Sequence, residues 1–340
     1  MTTISSDCLF KNKVKRLREG GAPRFMDLFA GCGGISLGFL TAGFTPVASV
    51  EFDKWAAASH KTNFFDSSTE ADSARDITKE DPESILTDLG INGRVEEQVD
   101  VLVGGPPCQA FSRVGRAKLR HEARRLQLDD AENAFLVDGR VNLWQRYLHY
   151  VRQTKPVALL MENVPDILNH GGKNVAEMVA EDLRTEGYKV SYTLLNAAWY
   201  GVPQTRERMF LIGLHESLGS NPTFPLPTHH TILPSGYEGT RATARKHISA
   251  AVSHGHVRID DPEPDAGHPK TTSAMEALAD LPPIFALQDM EAGILRRGRK
   301  DPFEPCTYTK KTPSTAWSRL MRHWPGFETT SHTTSHVIRY

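Results

Sequence analysis

The residue type most able to do covalent chemistry in this chain is Cys108. It sits within Gly104-Gly105-Pro106-Pro107-Cys108-Gln109-Ala110-Phe111-Ser112, just past Val99-Asp100-Val101-Leu102-Val103, an apolar run of strand length. Paired glycines and prolines force an unusual backbone path there. An inert core thiol needs no such scaffold, although free cysteines are often simply buried. A nucleophile does need one, because a rigid turn must present it to a pocket. A second reactive candidate is Glu162, at the end of the apolar run Pro156–Met161. A carboxyl at the end of a buried strand is a candidate for a raised pKa and acid chemistry. A third group is Gln204, Arg206 and Arg208, which alternate along Tyr200–Arg208. If that segment is extended they share one side. Two guanidiniums on one side make a site for phosphate, carbonyl or carboxylate, or else form salt bridges on a surface strand.

Other residues have types suited to a small ligand. Arg24–Phe29 predicts a short buried strand that runs into Ala30-Gly31-Cys32-Gly33-Gly34 and then a helical pattern. Strand, glycine turn and helix is the setting in which glycines admit a nucleotide to the backbone and to free helix N–H groups. The spacing is neither GxGxxG nor a Walker loop, so a plain tight turn remains an equal reading. A second strand, Thr45–Val50, ends in Glu51-Phe52-Asp53. An acid about 20 residues past the glycines suits ribose hydroxyls. Phe52 is placed to stack on a base, and Asp53 to cap the following helix.

The remaining pattern supplies the frame. Helices are expected over 142–153 and 174–186, and two further strands, possibly paired, over 188–196 and 208–214. After Ser112 the chain turns basic (Arg113, Arg116, Lys118, Arg120), which reads either as a phosphate-contacting loop or as a solvated face. Past Leu214, Pro and His become frequent and periodicity fades, except for a short helix near Ser273–Leu281. The net charge of -1 gives no global nucleic-acid signal, so any such binding rests on local patches. Cys8, Cys32, Cys108 and Cys306 show neither CxxC nor zinc spacing and fit free thiols in a reducing, cytoplasmic compartment (nucleoid-associated in a bacterium). The histidines lack ligand spacing, so no metal is expected. No apolar run approaches the ~18 residues of a membrane span. The basic start, residues 1–23, reads as a loosely ordered leader.

Taken in order, these motifs resemble the cytosine-5 DNA methyltransferases. The motifs are Asp27-Leu28-Phe29-Ala30-Gly31-Cys32-Gly33-Gly34, Glu51-Phe52-Asp53, Asp76-Ile77, the Pro-Cys-Gln turn, Asp138 and Arg140, Glu162-Asn163-Val164, and Gln204, Arg206 and Arg208. The resemblance implies an α/β class with a Rossmann-like S-adenosylmethionine-dependent methyltransferase fold. That fold is a mostly parallel twisted sheet with helices on both faces, here followed by an incomplete second region. It implies Cys108 as nucleophile, Glu162 at the ring nitrogen of cytosine, and Arg208 with Arg206 at its carbonyl oxygen. It implies a cofactor, S-adenosyl-L-methionine, met by Phe29, Gly31, Gly33, Glu51, Phe52, Asp76, Ile77 and Pro106. Double-stranded DNA would be met by Gln109, Ser112, Arg113, Arg116 and Gln204, with the target base flipped out of the duplex.

The same resemblance sets expected boundaries: a catalytic region over 24–220 and the start of a target-recognition region over 221–340. The family's later motifs are not found. The chain is therefore expected to be a fragment, or to work with a second polypeptide, within a restriction–modification system that includes a cognate endonuclease. A tRNA methyltransferase of the same family and a subunit inactive alone are the rival readings.

Overall fold

A computed structural model of the chain describes residues 6–65, 74–107, 143–169 and 173–233, with shorter stretches between 235 and 334. The chain forms two compact units. The first comprises Met1–Asn196, Glu207–Leu226 and Ile232–Glu263, and the second Ala197–Arg206, Pro227–Thr231 and Pro264–Tyr340. The division therefore does not fall at a single boundary near residue 220.

The first unit is built on a seven-stranded sheet. Its strands are β1 (Arg24–Leu28), β2 (Thr45–Val50), β3 (Val101–Gly104), β4 (Ala158–Asn163), β5 (Tyr188–Asn196), β6 (Glu207–His215) and the two-residue β7 (Val257–Arg258). The spatial order is β2-β1-β3-β4-β6-β5-β7. The pairs β1/β2, β1/β3, β3/β4 and β5/β7 are parallel, and β6 runs antiparallel to both β4 and β5. The doubly buried strands carry near-continuous apolar runs, as a sheet covered on both faces requires. Pro46, which has no N–H, lies on strand β2, and the β1/β2 register shifts beside it.

Helices cover both faces. On one, Ile35 and Phe39 of α2 (Gly34–Thr41) pack with Phe25, Val101 and Val103. On the other, α4 (Pro82–Asp88), α5 (Val95–Gln98), α6 (Leu143–Thr154) and α7 (Val175–Thr185) bury Ile85, Val95, Tyr147 and Val179 against Met26, Leu102 and Leu159. Helix α3 (Lys54–Phe64) is capped by the Asp53 carboxylate, which accepts the N–H groups of Trp55 and Ala56 at 2.9 Å each. Among the described residues no helix is long and apolar enough to cross a membrane.

The expected loose leader is corrected by α1 (Ser6–Arg18), a helix of 13 residues. Its Leu9 and Lys13, four residues apart and so on one face, are 1% and 3% exposed. Lys13 Nζ donates to the carbonyls of Val99 (2.6 Å), Thr154 (3.2 Å) and Lys155 (2.9 Å). Arg16 contacts the fully buried Asp100, which also accepts the Arg24 N–H at 2.7 Å. The basic run thus supplies internal anchors. Burial is the main force on Lys13, lowering its ammonium to about 7.

In the second unit the N–H groups of Thr228 and His229 both bond to the Trp199 carbonyl at 2.9 Å. Helix α8 (Ala274–Leu278) is closed by a Ser273–Glu276 capping box, and Arg322 of α9 (Ala316–Arg322) pairs with buried Asp280, Nε to Oδ2 2.8 Å.

Candidate active site

Register places the ends of four strands side by side. Leu28 of β1 pairs with Val50 of β2 and Gly104 of β3, and Gly104 pairs with Met161 of β4. These strands are mutually parallel, so the chain leaves all four at one sheet edge, where open α/β sheets bind ligands. Glu51, Phe29, Gly105 and Glu162 are the next residue of each. Three strand spacings separate the outer two carboxylates by about 14 Å across that edge.

The turn leading to Cys108 is clamped from both sides. A Cβ on Gly104 would lie 2.6 Å from the Leu28 carbonyl oxygen, and one on Gly105 would lie 3.0 Å from Glu162 Oε2. Glycine at both positions therefore lets β1 approach closely and brings the Glu162 carboxylate against the turn. Asn163, 4% exposed, donates from Nδ2 to the Pro106 carbonyl at 3.0 Å and accepts the Val164 N–H at 2.9 Å. In sequence Asn163 is marked only as the amide next to Glu162. Cys108 lies outside the described residues, as do Gln109, Ser112, Arg113, Arg116, Asp138 and Arg140.

Glu162 is held by Arg208, Nε to Oε1 2.8 Å, with the two side chains 23% and 22% exposed. Glu162 stands opposite Phe210 on β6, so Arg208, two residues away, reaches it diagonally on the same face. Gln204 and Arg206 do not continue this alternation. The Gln204 N–H bonds back to the Val202 carbonyl at 2.7 Å, a tight turn around Pro203, and the strand starts only at Glu207. Gln204 and Arg206 are exposed and belong to the second unit. Glu207, between the arginines, is buried and pairs with Arg241, Nε to Oε1 2.8 Å. This partner lies 34 residues further along the chain, with no local pattern to mark it.

At the other end of the edge, Phe29, Gly31 and Gly33 have φ of 59°, 56° and 95°. Phe29 is a bulky residue in the left-handed region, a strain that local structure must impose. Glu51 fixes this loop: Oε2 accepts the Gly31 N–H and Oε1 the Asp53 N–H, both at 2.8 Å. Each oxygen keeps a lone pair for a hydroxyl donor. Phe52 is 75% exposed beside it. A Cβ on Gly31 or Gly34 would meet nothing within 4 Å, and the α2 N-terminus has no side-chain cap. An open glycine backbone, an anchored carboxylate and a bare aromatic ring fit an adenosine-bearing ligand. Asp76 accepts Thr78 Oγ1 at 2.7 Å and pairs with Lys79, and the Thr78 hydrogen bond is the main cause of its lowered pKa. The Ile77 side chain is 5% exposed in the core, so this residue can offer a ligand only its backbone. Arg146, unmarked by the sequence, steadies that segment through the Ile77 carbonyl (2.8 Å). Pro106 is likewise buried.

A mostly parallel α/β sheet with a glycine loop, an anchored carboxylate and a paired glutamate–arginine at one edge is the arrangement in which open α/β folds bind their ligands. The comparisons narrow the class. The model of the C-5 cytosine-specific DNA methylase family matches residues 23–262, and the chain belongs to that family. It is 32% identical over 301 residues to the type II methyltransferase M.AgeI of Thalassovita gelatinovora, covering 87% of this chain and 57% of that protein. It is 37% identical over 211 residues to M.XorII of Xanthomonas oryzae, covering 62% and 44%. With M.AquIA of a Picosynechococcus species the identity is 32%, covering 61% of this chain and 77% of that one. The chain spans about half the length of most of the curated relatives it matches. A crystal structure from E. coli described as a DNA modification methyltransferase encoded within a prophage superposes with a TM-score of 0.56 at 21% identity. It covers 91% of this chain and 66% of that one, a likeness of fold.

Proposed function

We propose that this chain carries the cofactor and catalytic part of a DNA cytosine-5 methyltransferase in a restriction–modification system. The observation that carries the reading is the placement of the Glu162–Arg208 pair against the turn that leads to Cys108. Carbon 5 of cytosine is a poor nucleophile. Addition of the Cys108 thiolate to carbon 6 makes the ring an enamine, and Glu162 stabilises the charge that develops at N3. Arg208 orients Glu162 and faces the carbonyl oxygen, with Arg206 as a further candidate. An ordinary thiol has a pKa of about 8.5, so Cys108 needs help to ionise. When bound at Phe29–Gly33, Glu51 and Phe52, S-adenosylmethionine supplies the electrophilic methyl. Water acting as base then takes the carbon-5 proton, and elimination expels the Cys108 thiolate and restores the aromatic ring.

The DNA contacts proposed for Gln109, Ser112, Arg113, Arg116 and Gln204 follow from the resemblance to the family, in whose motifs they neighbour the nucleophile and the arginines in sequence. The rest of the relatives' length, whether on the same chain or a second polypeptide, would choose the target sequence, and a cognate endonuclease would cut the unmethylated site. The test is transfer of labelled methyl to duplex DNA and to tRNA by wild type and Cys108→Ser, Glu162→Gln and Arg208→Ala. Transfer to DNA that Cys108→Ser abolishes supports the reading. Transfer to tRNA alone, or unchanged transfer by Cys108→Ser, contradicts it.

A further inference from the structure

Beneath the glycine loop lies a set of buried polar groups that the reaction does not use. Ser36 Oγ donates to Asp27 Oδ2 at 2.7 Å and lies 2.9 Å from His60 Nε2. The three residues are 1%, 0% and 1% exposed in the order Asp27, Ser36, His60. Serine and histidine beside an aspartate suggest a hydrolase, but here the serine is central and no substrate reaches it, so nucleophilic chemistry is excluded. Burial of three polar groups between sheet and helices carries a cost that an apolar cluster would avoid. Asp27 Oδ1 has no hydrogen-bond partner among the described residues, and burial pushes the carboxyl up to about 6.

The placement gives the cluster a task. Asp27 is two residues before the strained Phe29, and Ser36 is three residues after Gly33. His60 packs against Phe64 with ring centroids 4.7 Å apart and the planes tilted by 43°. The Phe64 ring in turn fills the space beside Gly33, where a Cβ would lie 2.1 Å from it. Both ends of the loop are thus tied to one hydrogen-bonded chain, and its underside meets that chain through the packed Phe64 ring. We propose that Asp27, Ser36 and His60 form a positioning relay that holds the Phe29–Gly33 loop in its cofactor-binding conformation. This rests on the reading of that loop as the S-adenosylmethionine site.

The relay has a direction. An ionised Asp27 only accepts, so the Ser36 proton points to it and Ser36 accepts from His60 Nε2–H. A proton on Asp27 Oδ2 reverses both bonds and requires the other histidine tautomer, and a proton on the unpartnered Oδ1 keeps their direction but removes the negative charge that strengthens them, so the chain weakens in both cases. The groups facing Asp27 are His60 from α3, Glu51 at the end of β2, and Tyr147 from α6. Binding then weakens as pH falls through the titration of Asp27.

The test is calorimetric titration of the whole chain with S-adenosylhomocysteine from pH 5 to 8, with amide exchange across residues 29–34. For wild type, Kd rises about tenfold from pH 7 to pH 5. Asp27→Asn and Ser36→Ala bind more weakly at pH 8 and lose the pH dependence, and Ser36→Ala speeds loop exchange. His60→Gln, whose amide still donates to Ser36, retains affinity that His60→Ala loses. Circular dichroism checks folding, and where a variant does not fold, the wild-type profile and the Gln/Ala pair decide. A flat wild-type profile, or folded variants with wild-type affinity and loop exchange, overturns the relay. If wild type binds nothing at any pH, the cofactor reading fails, and loop exchange in Ser36→Ala still decides the relay.

Discussion

Asn163→Ala tests whether the nucleophile turn is held by the strand beside it. The wild-type amide has one allowed orientation: Nδ2 donates to the Pro106 carbonyl at 3.0 Å and Oδ1 accepts the Val164 N–H at 2.9 Å. A flip would oppose two acceptors on one side and two donors on the other. Asn163 is 4% exposed and Pro106 is buried, so water does not replace the lost donor. Leaving a buried acceptor unmade costs about 1–3 kcal/mol, and the lost bond to Val164 adds about 0.5–1.5. The expected loss is therefore roughly 2–4 kcal/mol in urea unfolding. Asn163→Asp keeps the acceptor for Val164 but turns a carboxylate oxygen on the Pro106 carbonyl, so at pH 8 it is at least as destabilised. Because the turn leads to Cys108, its displacement also lowers methyl-transfer kcat by about 10- to 100-fold. Asn163→Ala with stability within 0.5 kcal/mol of wild type (about one quarter of the smallest expected loss) and unchanged kcat would refute the clamp.

Other outcomes follow from the same geometry. Gly104→Ala sets a Cβ 2.6 Å from a backbone carbonyl that cannot yield, and costs about 2–3 kcal/mol in urea unfolding. Gly33→Ala abolishes cofactor binding through the clash with Phe64 and its φ of 95°, and adding Phe64→Ala restores part of it by calorimetry. Phe52→Ala weakens S-adenosylhomocysteine binding about three- to tenfold, the worth of one stacked ring. Lys13 stands at about 7 in the folded chain and 10.5 in the unfolded one. Between these values the unfolded state holds the extra proton, so wild-type stability rises with pH across the window, and the penalty is complete below about 7. Lys13→Met removes that slope in melts at pH 7 to 10, a difference on the order of a few kcal/mol.

What the sequence made legible was whatever is local. Val99–Val103 and Pro156–Met161 read as buried strands because apolar runs between turn residues have few other solutions, and both lie in the sheet. The helix expected over 174–186 is found as Val175–Thr185, with Asn174 as its cap. The paired β5 and β6 were likewise legible from their patterns. What escaped is what depends on distant partners. The basic start reads as a loosely ordered leader until Asp100, 84 residues from Arg16, is brought beneath helix α1. Asp27 opens the first motif without a role of its own, His60 carries no sequence signal, and the two meet Ser36 only after β1, α2 and α3 pack. The alternation of Gln204, Arg206 and Arg208 assumed an extended chain, which the turn at Pro203 interrupts.

A covalent bond between Cys108 and carbon 6 of cytosine is the central step of the proposed reaction. The whole chain should be incubated with S-adenosylmethionine and duplexes carrying 5-fluorocytosine, the fluorine blocking release of the enzyme. Denaturing electrophoresis and mass spectrometry should then show a protein–DNA adduct at Cys108, lost in Cys108→Ser and reduced in Glu162→Gln. An adduct that persists in Cys108→Ser, or methyl transfer to ordinary cytosine with no adduct on the fluorinated duplex, would contradict it.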